Sequence, residues 1–162
     1  MDTSKKILSR DELKRALEPY RKRGQKIVLA NGCFDLLHAG HIRYLKGARA
    51  EGDILVVAVN SDSSTETLKG PGRPVLPERG RAALVAALSS VDFVVIFPEP
   101  NVESLLQDLR PNVHAKGTDY TPETVPERSA SARLGIRVAI VGDPKTHSTR
   151  NLLANIRKRA DG

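Results

Sequence analysis

The apolar run Ile27-Val28-Leu29-Ala30 passes directly into Asn31-Gly32-Cys33-Phe34-Asp35-Leu36-Leu37-His38-Ala39-Gly40-His41, and a helical pattern follows over Ile42 to Arg49. A buried strand, a glycine-containing turn and a helix start, in that order, make an anion site. Unpaired backbone N–H groups and the helix dipole both point at whatever the turn holds. His38 and His41 stand at i and i+3, so their rings project from neighbouring points on one face of the helix start. Gly40 between them removes a side chain where a ligand has to approach the backbone. Two imidazoles and a set of helix N–H groups can hydrogen-bond non-bridging phosphate oxygens as charge shifts during phosphoryl or nucleotidyl transfer.

The rest of the chain repeats the alternation of strand and helix. Ser9-Arg10-Asp11-Glu12 is a capping box that opens an amphipathic helix over about 9–23, with Leu13, Ala16, Leu17 and Tyr20 on one face and Gly24 as its stop. Further strands are predicted at 54–59, 93–97, 113–115 and 137–141, and helices at about 81–88, 101–109 and 148–159. The segment 61–77, with Gly70, Pro71, Gly72, Pro74 and Pro77, reads as a loop. This order predicts an α/β fold, a single domain over 1–162 with a doubly wound, five-stranded parallel sheet and right-handed crossovers. In such a sheet ligands bind beyond the carboxyl ends of the strands, where the strand order reverses. Four strand ends deliver polar residues to that rim: Asn31 to His41; Asn60-Ser61-Asp62 with Lys69 and Arg73 beyond; Lys116-Gly117-Thr118-Asp119-Tyr120; and His147-Ser148-Thr149-Arg150.

Composition narrows the function. The net charge is +7, with basic clusters at Lys5-Lys6, Arg21-Lys22-Arg23 and Arg157-Lys158-Arg159. No aromatic-rich basic stripe accompanies them, so they read as solvated helix ends and no nucleic-acid partner is expected. No apolar stretch reaches the roughly 18 residues of a membrane span, and no early apolar segment suggests secretion. One cysteine cannot form an internal disulfide, so a cytoplasmic enzyme is expected. Cys33 itself reads as a small residue beside the phosphate turn, since no base is implied for it.

The His38-Ala39-Gly40-His41 core resembles the HxGH signature of the cytidylyltransferase-like nucleotidyltransferases, whose fold is Rossmann-like. Ser148-Thr149-Arg150, opening the last helix, is similar to their second, serine/threonine-rich signature. Within that superfamily the chain is most similar to the heptose 1-phosphate adenylyltransferases, the adenylyltransferase domain of ADP-heptose synthases. NGCFDLLHAGH, AVNSD, LKG with RPV shortly after, VDFVVIF, KGTDY with a following proline and glutamate, and the closing ST helix carry that likeness. Two positions depart from the pattern. Arg79 stands where an acidic residue is common, two places before Arg81, and Arg150 follows the Ser-Thr pair where a threonine is usual. Many members are fused to a sugar kinase, for which this chain is expected to have no room.

The resemblance implies that a sugar 1-phosphate, D-glycero-D-manno-heptose 1-phosphate, attacks the α-phosphorus of ATP, giving ADP-heptose and pyrophosphate. Mg²⁺ is expected to be held mainly by the triphosphate. His38 and His41 are assigned to the α- and β-phosphates, Ser148 and Thr149 to the distal phosphates, and Lys69 and Arg81 to mobile or supporting positive charge. Asn31, Gly32, Cys33, Phe34, Gly40, Lys116, Gly117 and Asp119 are expected to line the nucleotide and sugar pocket, with adenine read by backbone around 141–147. Asp35 has three open roles: orienting a histidine, touching Mg²⁺, or capping the turn. A homodimer is also implied by the resemblance. Two alternatives stand beside this reading: a cytidylyltransferase acting on an alcohol phosphate such as glycerol 3-phosphate, and a non-catalytic nucleotide- or nucleic-acid-binding module. An aminoacyl-tRNA synthetase fragment shares the HxGH idea, but the chain is expected to be too short for that enzyme's other parts.

Overall fold

The structure, a computed structural model, describes residues 2–144 and 148–162. After a 3₁₀ turn at Thr3–Lys6, the elements run α1 (Arg10–Lys22), β1 (Ile27–Gly32), α2 (Ala39–Ala50), β2 (Ile54–Asn60), α3 (Asp62–Lys69), α4 (Glu78–Ala86), β3 (Phe93–Phe97), α5 (Glu103–Leu109), β4 (Val113–Lys116), α6 (Arg128–Leu134), β5 (Arg137–Ile140) and α7 (Thr149–Ala160). All strand pairs are parallel, in the order β3-β2-β1-β4-β5. The chain therefore winds outward from β1 to β3, crosses back, and winds the other way from β4 to β5.

The site follows from that reversal. β1 stays in register with β2 as far as Gly32 opposite Val59, but its pairing with β4 ends at Ala30 opposite Ala115. β1 and β4 thus part at their carboxyl ends, and the crevice expected at a switch point opens there. Both faces of the sheet are covered, so its central strands are apolar on both sides. Val28, Ala30, Leu55, Val57 and Val59 pack on Leu45 and Ala48 of α2 and on Ala82, Val85 and Ala86 of α4. On the other face Ile27, Leu29, Val56 and Ala58 meet Leu13 and Leu17 of α1 and Leu105, Leu106 and Leu109 of α5.

The expected elements are present, with three differences. α2 begins at Ala39, earlier than the apolar pattern indicates, because His38 caps it. The segment 61–77 is not a single loop. Ser61 accepts from the Ser64 N–H, α3 runs from Asp62, and Gly70 at φ 95° ends it. α3 presents serines and threonines to the protein, with Ser64 and Thr65 buried, while Leu68 is exposed. A helix without an apolar stripe is invisible to periodicity. α6 was likewise hidden, since its buried residues are Ala130 and Ser131.

Gly52 shows how tightly β1 meets the turn before β2. A Cβ there would lie 2.7 Å from Val28 Cγ2 and 2.9 Å from the Lys26 carbonyl oxygen. Gly52→Ala should lower stability by about 1–3 kcal/mol through overpacking. In urea titration the midpoint should fall with an unchanged slope, and an unchanged midpoint would contradict this packing.

Candidate active site

The turn between β1 and α2 is built around two backbone N–H groups that no helical carbonyl can reach. The Gly40 N–H donates to His38 Nδ1 at 3.1 Å, and the His38 N–H donates to His41 Nδ1 at 3.3 Å. A ring nitrogen that accepts an N–H carries no proton, so in the neutral rings each proton sits on Nε2. Capping the helix thus sets the tautomer of both histidines and makes each Nε2–H a donor. The rings stack at 3.8 Å, 25° from parallel. The Phe34 ring meets His41 edge-on at 5.3 Å. Phe34 holds this place at φ 49°, a region that non-glycine residues enter at a cost.

Beneath the turn two charged residues do structural work. Asp35 is buried, and its oxygens accept from Arg73 Nε at 2.7 Å, from the Val75 N–H at 2.9 Å and from the Leu76 N–H at 3.0 Å. Burial pushes its carboxyl up, but the Leu76 and Val75 N–H groups and Arg73 outweigh that and hold it below the usual carboxylate range. Arg81 is fully buried. It donates to Cys33 O at 2.6 Å, Asn60 O at 2.8 Å, Leu76 O at 2.9 Å and Asp62 Oδ1 at 2.8 Å. These bonds staple the ends of β1 and β2 to the start of α4.

Across the crevice, His114 of β4 is buried and its Nε2 lies 3.0 Å from Asn31 Oδ1. Burial first, and Lys116 second, push the His114 ring down to about 3, so it is neutral and donates to Asn31. Its bond takes the Asn31 carbonyl oxygen, and the Asn31 amide N–H₂ is the end left for the cavity that Asn31 lines. The Tyr44 hydroxyl donates to Ala115 O at 2.8 Å, tying α2 to β4. Lys116 is almost buried, its ammonium 4.5 Å from the centre of the Tyr120 ring. Desolvation lowers its pKa, partly offset by Glu127 and Asp119. Arg43 Nε pairs with Asp143 Oδ2 at 2.9 Å, and Thr118 Oγ1 donates to Asp143 O at 2.8 Å, so the segments after β4 and β5 are joined to α2.

Above Arg81 and His114 lies a cavity of about 930 Å³ whose lining includes neither of them. Asn31, Gly32, Cys33, Phe34, Asp35, His38, Gly40, His41, Lys69, Lys116, Gly117, Asp119, Ser148 and Thr149 all line it. Several expected roles are corrected. Arg81 does not face the cavity, because its guanidinium is spent on backbone carbonyls and Asp62. Asp35 is a clamp on 73–76 and does not fit a metal-ligand role, since both its oxygens are taken. Lys69 belongs to the last turn of α3 and is not in mid-loop, although it reaches the cavity. Ser148 is the N-cap of α7, accepting from the Asn151 N–H at 3.1 Å, and keeps its own hydroxyl proton to donate. Thr149 Oγ1 is directed at the Leu36 carbonyl at 3.5 Å. The adenine-reading stretch falls partly on 145–147, including His147, outside the described residues. His114, Tyr44, Arg43 and Glu127 were missed. His114 alone left a signal, as a polar residue two places before Lys116 on one face of a strand.

Residues 29–156 match the cytidylyltransferase-like family. The chain belongs to that family, and it is an enzyme of the nucleotidyltransferase class. The bifunctional protein HldE of Syntrophotalea carbinolica is 45% identical over 98% of this chain and 32% of its own length. HldE of Pelobacter propionicus is 46% identical over 98% of this chain and 32% of its own length. This cytidylyltransferase-like chain therefore spans about a third of the length of the curated relatives it matches. Among solved structures, a lipopolysaccharide core biosynthesis protein from Thermoplasma volcanium superposes with a TM-score of 0.65 at 28% identity, covering 75% of this chain and 100% of that one. Pantoate-beta-alanine ligase from Francisella tularensis shares the fold, with a TM-score of 0.61 at 16% identity, over 91% of this chain and 72% of that one.

The state of His114 has a measurable consequence. Its folded pKa lies below its unfolded value, so as pH falls below about 6.5 the unfolded chain takes up a proton that the folded one refuses until about 3. Stability should be insensitive to this group above that window and fall through it by at most about 1.4 kcal/mol per pH unit. His114→Gln should flatten the acid limb of the stability–pH curve measured by urea denaturation. Parallel acid limbs for the two proteins would contradict a buried neutral His114.

Proposed function

We propose that this chain is an adenylyltransferase that moves AMP from ATP to a sugar 1-phosphate, D-glycero-D-manno-heptose 1-phosphate, forming ADP-heptose and releasing pyrophosphate. The observation that carries the reading is the pair of tautomer-set histidines at the start of α2, within a cavity that has room for a nucleotide and a second phosphorylated substrate. Identity of 45% to HldE along nearly the whole chain supports the heptose acceptor, as do the AVNSD and KGTDY segments.

A phosphate monoester is already ionised at neutral pH, so the attacking oxygen needs no general base. It adds to the α-phosphorus in line as the bond to the bridging oxygen of pyrophosphate breaks. Charge grows on the non-bridging oxygens and on the leaving group. His38 and His41, each donating from Nε2, stabilise that charge together with the N–H groups of the first turn of α2. Lys69, Arg73 and the Ser148-Thr149 hydroxyls supply positive charge and donors for the distal phosphates. Magnesium enters with the triphosphate as part of the substrate. The same reading takes the enzyme as a cytoplasmic homodimer; among the described residues no helix is long and apolar enough to cross a membrane.

Two measurements test it. In a pyrophosphate-release assay with the heptose 1-phosphate, ATP should be preferred to CTP; a clear CTP preference would move the activity to a cytidylyltransferase acting on an alcohol phosphate. His38→Asn retains a side-chain cap for α2 but removes the ring donor. It should keep the wild-type melting temperature while kcat falls about 10²-fold or more and the KM for ATP changes less. His41→Ala should show the same kcat loss. Near-normal kcat in both variants would remove the histidines from the chemistry.

A further inference from the structure

Glu127 lines the cavity on the β4 side, yet only 3% of its surface is exposed. Its Oε2 is shut off from solvent and has no hydrogen-bond partner among the described residues. The simplest structural use of an acidic residue here is to cap the helix it precedes, and the Glu127 side chain makes no such bond to α6. A buried carboxylate oxygen without a donor is costly, and the cost is removed when a donor is brought in. The neighbouring groups narrow the donor. Lys116, whose charge is coupled to that of Glu127, stands over the flat ring of Tyr120. A carboxylate repels phosphate oxygens, so this end of the cavity does not suit the triphosphate. It does suit adjacent hydroxyls. Two O–H groups on neighbouring ring carbons can both donate to one carboxylate, and an ammonium can donate back to a hydroxyl oxygen.

We propose that Glu127, with Lys116 beside it, reads a vicinal diol on a sugar ring. This rests on the nucleotidyl-transfer reading of the site. The diol has two possible sources, the ribose of the nucleotide or the ring of the acceptor, and binding measurements separate them. Titration calorimetry of wild type, Glu127→Gln and Glu127→Asp with ATP, 2′-deoxy-ATP and 3′-deoxy-ATP forms one arm. Titration with D-glycero-D-manno-heptose 1-phosphate in the presence of a non-hydrolysable ATP analogue forms the other.

If ribose is read, wild type should bind at least one deoxy analogue about tenfold or more weaker than ATP, the scale of one buried hydrogen bond lost, and both variants should narrow that ratio towards one. If the acceptor is read, the ATP ratios should stay at their wild-type values while the sugar phosphate binds about tenfold or more weaker to the variants. Folded variants, judged by circular dichroism, that keep wild-type ratios and wild-type sugar-phosphate affinity would overturn the proposal. So would variants that lose only thermal stability. Failure of the transfer reading has a different signature: no pyrophosphate release from wild type, with the binding arms still deciding the role of Glu127.

Discussion

At the mouth of α2 two backbone N–H groups have no carbonyl within reach, and each is given a histidine ring. An aspartate or serine would cap the helix as well. A histidine does something further, because the nitrogen that accepts the bond dictates which nitrogen carries the proton. One local requirement, closing the helix start, therefore leaves the proton of each neutral ring on Nε2. The surrounding structure serves that arrangement. Phe34 takes up an unfavourable backbone angle to back the His41 ring, and Arg81 gathers the carbonyls of Cys33, Asn60 and Leu76 beneath the turn. Asp35 holds the segment that carries Arg73.

The sheet supplies the second constraint. β1 pairs with β2 two residues further than with β4, so the crevice widens where the turn into α2 begins. His114 and Tyr44 bridge its base, one bonding Asn31 and the other Ala115 O. Their bonds fix the two walls relative to each other while leaving the upper rim to Lys116, Glu127 and the starts of α2 and α7. Strand ends and helix starts thus hold Asn31, His38, His41, Lys116 and Ser148 around the cavity.

Much of this was legible in the sequence, for a physical reason. The strands at 27–30, 54–59 and 93–97 are apolar runs between turn signals, and a fold that alternates them with helices has one place for a ligand. The polar residues at four strand ends could be assigned to that rim before any contact was known. Helices without an apolar face could not be read: α3 buries Ser64 and Thr65, and α6 buries Ala130 and Ser131. Nor could the partners of charged groups. An arginine at 81 looks the same in sequence whether it faces a phosphate or three carbonyls, and an aspartate at 35 does not announce that backbone N–H groups fill its oxygens. Glu127 and Tyr44 acquire meaning only when the segment before α6 and α2 come together beside β4.

That helix capping sets both histidine tautomers, and the proposal that Nε2–H then meets the phosphates of ATP, can be measured without turnover. Nitrogen-15 imidazole spectra of the wild-type enzyme, assigned with His38→Asn and His41→Asn, report the protonation of each ring nitrogen. Near neutral pH, Nδ1 of both rings should resonate in the unprotonated range and Nε2 in the protonated range, with ATP shifting the Nε2 signals most. A protonated Nδ1 on either neutral ring, or Nε2 signals indifferent to saturating ATP, would contradict it.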